Sequence, residues 1–249
     1  MNKSTTGFIP NLITLLNLTA GSLAVVFALE GNLGYAGLFI LMAGIFDFLD
    51  GFSARLLKAY SETGKQLDSL ADEVSFGVAP AMIAFILMKR ALPGLNLPLP
   101  DITASFWQWI LLLSPFMIPA FSALRLAKFN LDNRQTVNFI GMPTPANAIL
   151  WASFGIITGF TKYPEIPVLL FTAQNILLAV VITSILLVSE LPMFSLKFSG
   201  FSFSANWYRY LFLLASLILL VIFKLYGLPA IILLYIALSV SFYLLKINL

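Results

Sequence analysis

Residues 33–54 read LGYAGLFILMAGIFDFLDGFSA, and this apolar run with two aspartates near its end decides the fold class. As a helix, the run is long enough to cross a hydrocarbon core of about 30 Å. Glycine, proline and charged residues separate seven further apolar runs, so that the predicted spans cover residues 11–29, 33–54, 69–88, 105–127, 145–160, 166–188, 207–224 and 228–246. We therefore predict an all-α, polytopic membrane helical bundle with about eight transmembrane helices.

The composition excludes most other classes of protein. Of the 249 residues, 60% are hydrophobic and 10% are charged, whereas soluble domains contain about 25% charged residues. Soluble, fibrous and disordered classes are therefore excluded. Cysteine and histidine are both absent, which excludes disulfide frameworks, thiolate or imidazole metal sites and Ser-His-Asp triads. Any chemistry must therefore use carboxylates, lysine, arginine, hydroxyls or a bound metal. The net charge of +3 is small and indicates no nucleic-acid partner.

The lysine and arginine residues predict how the chain is oriented in the membrane. With eight spans, ten of these residues fall on the side of the N-terminus, namely Lys3, Arg55, Lys58, Lys65, Arg125, Lys128, Arg134, Lys197, Arg209 and Lys246. Four fall on the other side, namely Lys89, Arg90, Lys162 and Lys224. Under the positive-inside rule, both termini and the loop after the second span lie in the cytoplasm. Since no stretch is long or polar enough for a separate soluble domain, we predict one membrane-embedded domain over residues 1–249.

Acidic residues are concentrated in one part of the chain. Six of the eleven fall between residues 47 and 73, namely Asp47, Asp50, Glu62, Asp68, Asp72 and Glu73. The first two aspartates are three positions apart, and the last two are four apart, so each pair projects from one helix face. A short polar turn joins the two helices, so we expect the four aspartates to meet.

Four carboxylates at membrane depth need a cation to offset their charge, because each buried charge costs at least a few kcal/mol. Oxygen ligands without histidine or cysteine favour Mg²⁺ or Mn²⁺, with Ca²⁺ as a further candidate. Four aspartates are enough to bridge two ions, and paired ions about 3.5–4 Å apart are the usual apparatus for in-line displacement at phosphorus. The sequence therefore predicts a site with two divalent ions.

Glycine and arginine placement agrees with a phosphate ligand. Gly51 directly follows the second aspartate, where a missing side chain lets a ligand approach the backbone. Arg55 lies about one turn further along, where it can neutralise phosphate oxygens. Gly37, Gly44 and Gly51 recur every seven residues, which is typical of closely packed membrane helices.

These residues carry a family resemblance. The segment Asp47-Phe-Leu-Asp50-Gly51-Phe-Ser-Ala54-Arg55, followed by Gly64, Asp68 and Asp72, resembles the full eight-position signature of the CDP-alcohol phosphotransferase family. The motif Pro10-Asn11-Leu-Ile-Thr14 resembles the first helix of that family. Further segments are similar to the bacterial phosphatidylserine synthases, namely residues 68–80, 125–130, 141–145 and 192–197. The resemblance extends from about residue 9 to 198, whereas the last two spans, within 207–246, match only in hydropathy.

The resemblance implies transfer of the phosphatidyl group from CDP-diacylglycerol to L-serine, giving phosphatidylserine and CMP. It implies that Asp47, Asp50 and Asp68 ligate the metal ions, and that Asp72 is both a ligand and the general base. The residues expected around the cytidine and the pyrophosphate are Asn11, Thr14, Gly51, Ala54, Arg55 and Gly64. It further implies a homodimer in the bacterial inner membrane with its active site facing the cytoplasm. Asn17 departs from the family, since many relatives that use other alcohols carry arginine there.

For the serine that the resemblance implies as acceptor, the binding residues are predicted from charge. Serine has a carboxylate, and a selective site should pair it with a cation. Arg125 and Lys128 lie three positions apart at the predicted cytoplasmic end of the fourth span, and Arg125 is the better bidentate partner. Two alternatives remain open: another acceptor such as glycerol phosphate or inositol phosphate, and a cation transporter that uses the acidic residues as an ion path.

Overall fold

The computed structural model describes residues 7–92, 104–131, 139–196 and 203–245. Its helices are α1 (Phe8–Leu29), α2 (Leu33–Leu56), α3 (Glu62–Asp72), α4 (Ala79–Ala91), α5 (Phe106–Leu113), α6 (Met117–Leu131), α7 (Thr144–Phe160), α8 (Glu165–Leu170), α9 (Ala173–Val188), α10 (Phe203–Phe223) and α11 (Gly227–Leu244). A π-helical turn at Glu73–Val78 joins α3 to α4, and 3-10 turns at Ser114–Phe116 and Lys224–Tyr226 join α5 to α6 and α10 to α11.

Several helical stretches within the described residues are long and apolar enough to cross a membrane, which confirms the predicted all-α membrane bundle. They are Phe8–Leu29, Leu33–Leu56, Glu62–Ala91, Phe106–Leu131 and Asn206–Leu244. The last stretch contains α10 and α11, which pack against each other. The ring centres of Phe212 in α10 and Tyr235 in α11 are 6.0 Å apart. Helix α9 is apolar but shorter. The total of eight spans and the cytoplasmic termini therefore stay predictions.

Helix α1 aligns α2 and α3 at one end of the bundle. Contacts at its successive turns join Thr14 to Asp50, Asn17 to Asp72 and Gly21 to Ser75. Alanines, whose side chains are small, also line the buried face of α1, namely Ala20, Ala24 and Ala28. These contacts place the ends of α2 and α3 that carry the aspartates at the same depth.

Helices α2 and α7 pack with their backbones close together. A Cβ atom on Gly155 would lie 2.6 Å from the carbonyl oxygen of Leu33, and one on Gly159 would lie 2.5 Å from the Cα atom of Gly34. Neither distance leaves room for a side chain, so glycine is required at both positions of α7. This contact fixes the height of α7 relative to the aspartates of α2.

The seven-residue glycine repeat of α2 has more than one role. A Cβ atom on Gly37 would overlap the carbonyl oxygen of Ala152, which confirms the predicted close packing there. Around Gly44, by contrast, no atom lies within 4 Å of the added Cβ, so the prediction of close packing is wrong at this position. The spacing alone does not show which glycines of the repeat face a neighbouring helix.

We predict that Gly155→Ala destabilises the protein, because the methyl group meets a backbone oxygen that cannot move aside alone. The expected loss is about 1–3 kcal/mol in the free energy of unfolding. Thermal unfolding in detergent measures it as a lower Tm. Gly44→Ala is the matched control and should leave Tm unchanged or raise it, since alanine favours a helix over glycine. Equal Tm values for the two variants would contradict the packing described for α7.

A short antiparallel ribbon, which was not predicted, connects the middle of the chain to its C-terminal part. Strand β1 (Phe139–Ile140) pairs with strand β2 (Pro192–Met193). Gly141 follows β1 with φ +75°, and a Cβ atom there would lie 2.7 Å from the carbonyl oxygen of Leu187. The ribbon therefore packs tightly against the end of α9, and it positions the backbone of the residues that follow each strand.

Candidate active site

Three of the four predicted metal ligands come together where α2 faces α3. Asp47, Asp50 and Asp68 each place one carboxylate oxygen within 4.8 Å of the others. Asp72 lies near this group, since its carboxyl interacts electrostatically with those of Asp47 and Asp68. The helical spacing of the two pairs led us to expect this meeting. The four residues are called the acidic cluster below.

Helix α1 orients two carboxyl groups of the acidic cluster. The Thr14 hydroxyl donates a hydrogen bond to Oδ2 of Asp50 at 2.6 Å. The Asn17 side-chain amide donates to Oδ1 of Asp72 at 3.2 Å. Both donors are buried, so they have little freedom to turn away. Asn17, which the sequence marked only as a departure from the family, therefore orients the carboxyl of the predicted general base.

The acidic cluster has the properties of a site for a divalent cation. No lysine or arginine in the described part of the chain forms a salt bridge with any of its four members. Oδ1 of Asp68 is buried and has no hydrogen-bond partner. Buried carboxylates at this spacing repel one another unless a cation lies between them. The donor atoms are all oxygen, which fits Mg²⁺, Mn²⁺ or Ca²⁺.

A cavity of about 520 Å³ opens beside the acidic cluster, between α1, α2 and α3; it is called the polar cavity below, because most of its lining residues are polar or charged. Its lining comprises Pro10, Asn11, Thr14, Asp50, Gly51, Ala54, Ala59, Tyr60, Ser61, Glu62, Gly64, Lys65 and Asp68. Five of the six residues predicted to surround the nucleotide and pyrophosphate are among them, namely Asn11, Thr14, Gly51, Ala54 and Gly64. Three of these five, Gly51, Ala54 and Gly64, have little or no side chain and so leave space for the cavity. Its volume lies in the usual range for small-molecule sites.

A second, largely apolar cavity of about 1040 Å³ begins at the same place. Its acidic end contains Asp47, Asp50 and Asp68, together with Arg55, the sixth residue predicted to bind the nucleotide lipid. The remainder is lined mainly by apolar residues of α7, β1, the segment after β2, α10 and α11, namely Phe139, Pro143, Pro145, Ala146, Ile149, Phe194, Leu196, Phe212, Leu228, Ile231 and Ile232. Since both linings include Asp50, Gly51 and Asp68, the two cavities meet at the acidic cluster.

The two residues predicted to bind the acceptor lie in different environments. Arg125 is buried, its Nε donates to the carbonyl oxygen of Met142 at 3.2 Å, and its guanidinium lies 4.9 Å from the ring centre of Phe129. It also interacts electrostatically with Asp72. Lys128, one turn further along α6, is exposed. Arg125 is thus near enough to Asp72 to interact with it, but it is not among the residues that line either cavity. The role of both residues in acceptor binding stays a prediction.

Some polar residues of the two cavities were not predicted as site residues. Tyr60 and Lys65 line the polar cavity, and Tyr235 lines the apolar cavity. Lys65 directly follows Gly64 of the signature, and this position indicated a role in the site. We interpreted Lys65 only as a determinant of topology. No comparable signal marks Tyr235, because it lies in a span that is recognisable only by its hydropathy.

Comparisons with known proteins agree with these residues. The model of the CDP-alcohol phosphatidyltransferase family matches residues 7–186. The CDP-diacylglycerol–serine O-phosphatidyltransferase of Bacillus subtilis is 39% identical over 138 residues, which cover 55% of this chain and 70% of that protein. The archaetidylserine synthase of Methanothermobacter thermautotrophicus is 33% identical over 194 residues, covering 76% of this chain and 72% of that protein. The CDP-diacylglycerol–serine O-phosphatidyltransferase of Helicobacter pylori is 34% identical over 143 residues, covering 57% and 54%.

The matched residues include the acidic cluster, the whole lining of the polar cavity and Arg125. Helices α10 and α11 lie beyond the match. Because the family model covers more than half of the sequence, the chain belongs to the CDP-alcohol phosphatidyltransferase family.

Proposed function

We propose that this protein transfers the phosphatidyl group of CDP-diacylglycerol to L-serine and releases CMP. The observation that carries the proposal is that a polar and an apolar cavity meet at the acidic cluster. A nucleotide lipid has the same division, with a polar nucleotide at one end and acyl chains at the other. Serine as the acceptor is supported by the relatives described above, whose names all include serine.

We place each part of CDP-diacylglycerol in one of the two cavities. The polar cavity suits the cytidine and its ribose, since Asn11 offers hydrogen-bonding groups and Gly51 and Gly64 leave the backbone accessible. The pyrophosphate then lies at the acidic cluster, where Arg55 can contact its oxygens. The diacylglycerol part extends into the apolar cavity, where burial of its acyl chains is favourable.

Divalent cations bound by Asp47, Asp50, Asp68 and Asp72 would supply positive charge that stabilises the pyrophosphate oxygens and the leaving group. We propose Mg²⁺ or Mn²⁺, in two sites, with Ca²⁺ as a possible occupant. The observations that support this are the short distances between three of the carboxylates and the unpartnered Oδ1 of Asp68.

In the proposed reaction, the serine hydroxyl attacks the phosphorus that carries diacylglycerol. Asp72 accepts the hydroxyl proton, and Asn17 keeps the carboxyl of Asp72 oriented during this step. The serine oxygen forms a bond to phosphorus while the bond from that phosphorus to the bridging pyrophosphate oxygen breaks. The bridging oxygen keeps the electron pair and leaves as part of CMP. Arg125 binds the serine carboxylate and so aligns the hydroxyl; Lys128 can assist only from its exposed position.

The test of this function is CMP release by the purified protein. The protein is incubated with vesicles that contain CDP-diacylglycerol and with Mg²⁺ or Mn²⁺. L-serine, glycerol phosphate and inositol phosphate are each added in a separate reaction. We expect CMP with serine and little with the phosphorylated alcohols. CMP release that depends on a phosphorylated alcohol would show that this alcohol, and not serine, is the acceptor. Metal flux into proteoliposomes without any CMP release would favour the cation transporter instead.

We also propose that the active site faces the cytoplasm from the bacterial inner membrane, as the distribution of lysine and arginine predicts. The chain has no cysteine, so a single introduced one can be labelled uniquely. Lys58→Cys, in the exposed loop after α2, should react in intact spheroplasts only with a membrane-permeant maleimide. Lys162→Cys, in the loop after α7, is the control for the other side and should react with an impermeant reagent. The reverse pattern would overturn the orientation. The homodimer stays a prediction.

A further inference from the structure

One large aromatic side chain stands at the edge of the polar cavity without a partner in the protein. Tyr60 lines this cavity, and it is the only aromatic residue among the described residues of the lining. It is 73% exposed, and its side chain forms no hydrogen bond or ring contact with the described part of the chain. The ring therefore contributes little to the packing of the helices.

The backbone on both sides of Tyr60 is fixed by helix caps. Helix α2 ends in a Schellman motif, in which the amide of Ala59 donates a hydrogen bond to the carbonyl oxygen of Ala54 at 3.0 Å. Helix α3 begins at an N-cap, since the hydroxyl of Ser61 accepts a hydrogen bond from the amide of Gly64 at 3.0 Å. Tyr60 lies between the two caps, so the ends of α2 and α3 determine its position at the cavity.

The other side chains of the polar cavity offer hydrogen bonds but no aromatic surface. A Cβ atom on Gly64 would lie 3.1 Å from Oδ1 of Asn11 and 3.0 Å from Oγ of Ser61, so these two polar groups lie together at the start of α3. Such groups can bind the edge of a base or the hydroxyls of a ribose. The face of a base instead requires a flat apolar partner, and stacking on an aromatic side chain is favourable for every base, because each base has a π-face.

We propose that Tyr60 stacks on the cytosine base of the nucleotide lipid at the edge of the polar cavity. The proposal rests on the proposed function, because that function places the cytidine in this cavity. Tyr60 is not a signature position, so the proposal adds a binding residue to the site. Since stacking favours every base, Tyr60 supplies affinity for the nucleotide, whereas the choice of cytosine falls to groups that reach its edge, such as Asn11.

The test measures the binding of CMP to the purified protein in detergent with Mg²⁺. Tyr60→Ala should raise the Kd for CMP about tenfold, whereas Tyr60→Phe keeps the ring and should stay within twofold of the wild type. Ribose 5-phosphate has a sugar and a phosphate but no base, so its Kd should be the same for Tyr60→Ala and the wild type. Tyr163→Ala is the matched control, since it removes an exposed tyrosine from the loop after α7, and its Kd for CMP should equal that of the wild type.

Initial rates of CMP release give a second readout. Stacking is the same before and during the chemical step, so Tyr60→Ala should raise the KM for CDP-diacylglycerol, with kcat and the KM for serine changed less than twofold. An equal loss of ribose 5-phosphate binding in Tyr60→Ala would overturn the inference. So would an unchanged Kd for CMP, which would leave Tyr60 as an aromatic anchor at the membrane surface. Failure of the wild-type protein to bind CMP, or to release it from CDP-diacylglycerol, would instead refute the proposed function.

Discussion

Replacement of Asp68 by asparagine is expected to lower the rate of serine-dependent CMP release by at least about 100-fold. Asp68 has a buried oxygen without a hydrogen-bond partner and lies within 4.8 Å of the ligand oxygens of Asp47 and Asp50. Asparagine has nearly the same shape but no negative charge, so it weakens cation binding without emptying space. Asn replacements at Asp47, Asp50 and Asp72 should each remove most of the rate as well, and a chelator should abolish the activity of the wild-type protein.

The matched control for these variants is Glu30→Gln, which neutralises an exposed carboxylate at the far end of α1. Its CMP release should equal that of the wild type. Binding of Mn²⁺ to the purified protein, measured directly, gives a second readout, and Asp68→Asn should weaken it. An Asp68→Asn protein that is fully active in the presence of a chelator would refute the proposed metal site.

Arg125→Ala is expected to lower kcat/KM for serine about tenfold or more, which corresponds to about 1.4 kcal/mol. Arg125 is buried, interacts electrostatically with Asp72 and forms no salt bridge with a carboxylate among the described residues. A buried guanidinium in that state is available to a ligand carboxylate, and its loss should spare the KM for CDP-diacylglycerol. Initial rates at varied concentrations of each substrate separate the two effects.

Two further variants define the role of Arg125. Arg125→Lys keeps the charge but loses the bidentate geometry, so it should lie between the alanine variant and the wild type. Lys162→Ala removes an exposed cation in the loop after α7 and should change nothing. If Arg125→Ala leaves serine kinetics unchanged, or weakens only CDP-diacylglycerol binding, Arg125 does not bind the acceptor.

The acidic cluster was predictable because its geometry is largely local. Spacings of three and four residues on two helices that a short turn connects already bring Asp47, Asp50 and Asp68 to facing surfaces. The lining of the polar cavity follows for the same reason, since most of it lies in α2, α3 and the turn between them. Asn17 was harder to interpret, because its role depends on which face of α1 turns toward Asp72.

Features that depend on distant contacts could not be predicted from the sequence. The β1–β2 ribbon joins strands of two residues each, which are too short to give a periodic pattern. Arg125 and Lys128 were both predicted to bind the acceptor, yet one is buried and the other exposed, because 60° around a helix is enough to separate them. Tyr235 enters the site only through the packing of α11, for which hydropathy gives no orientation.

One competitive reaction tests the central claim most directly. The purified protein receives CDP-diacylglycerol, Mg²⁺ and an equimolar mixture of glycerol 3-phosphate, inositol 1-phosphate and L-serine with ¹⁸O in its hydroxyl, and the lipid products and CMP are analysed by mass spectrometry. Attack of the serine hydroxyl on phosphorus predicts phosphatidylserine that retains ¹⁸O, together with unlabelled CMP. A lipid product formed from either phosphorylated alcohol, or phosphatidylserine without ¹⁸O, would contradict the account.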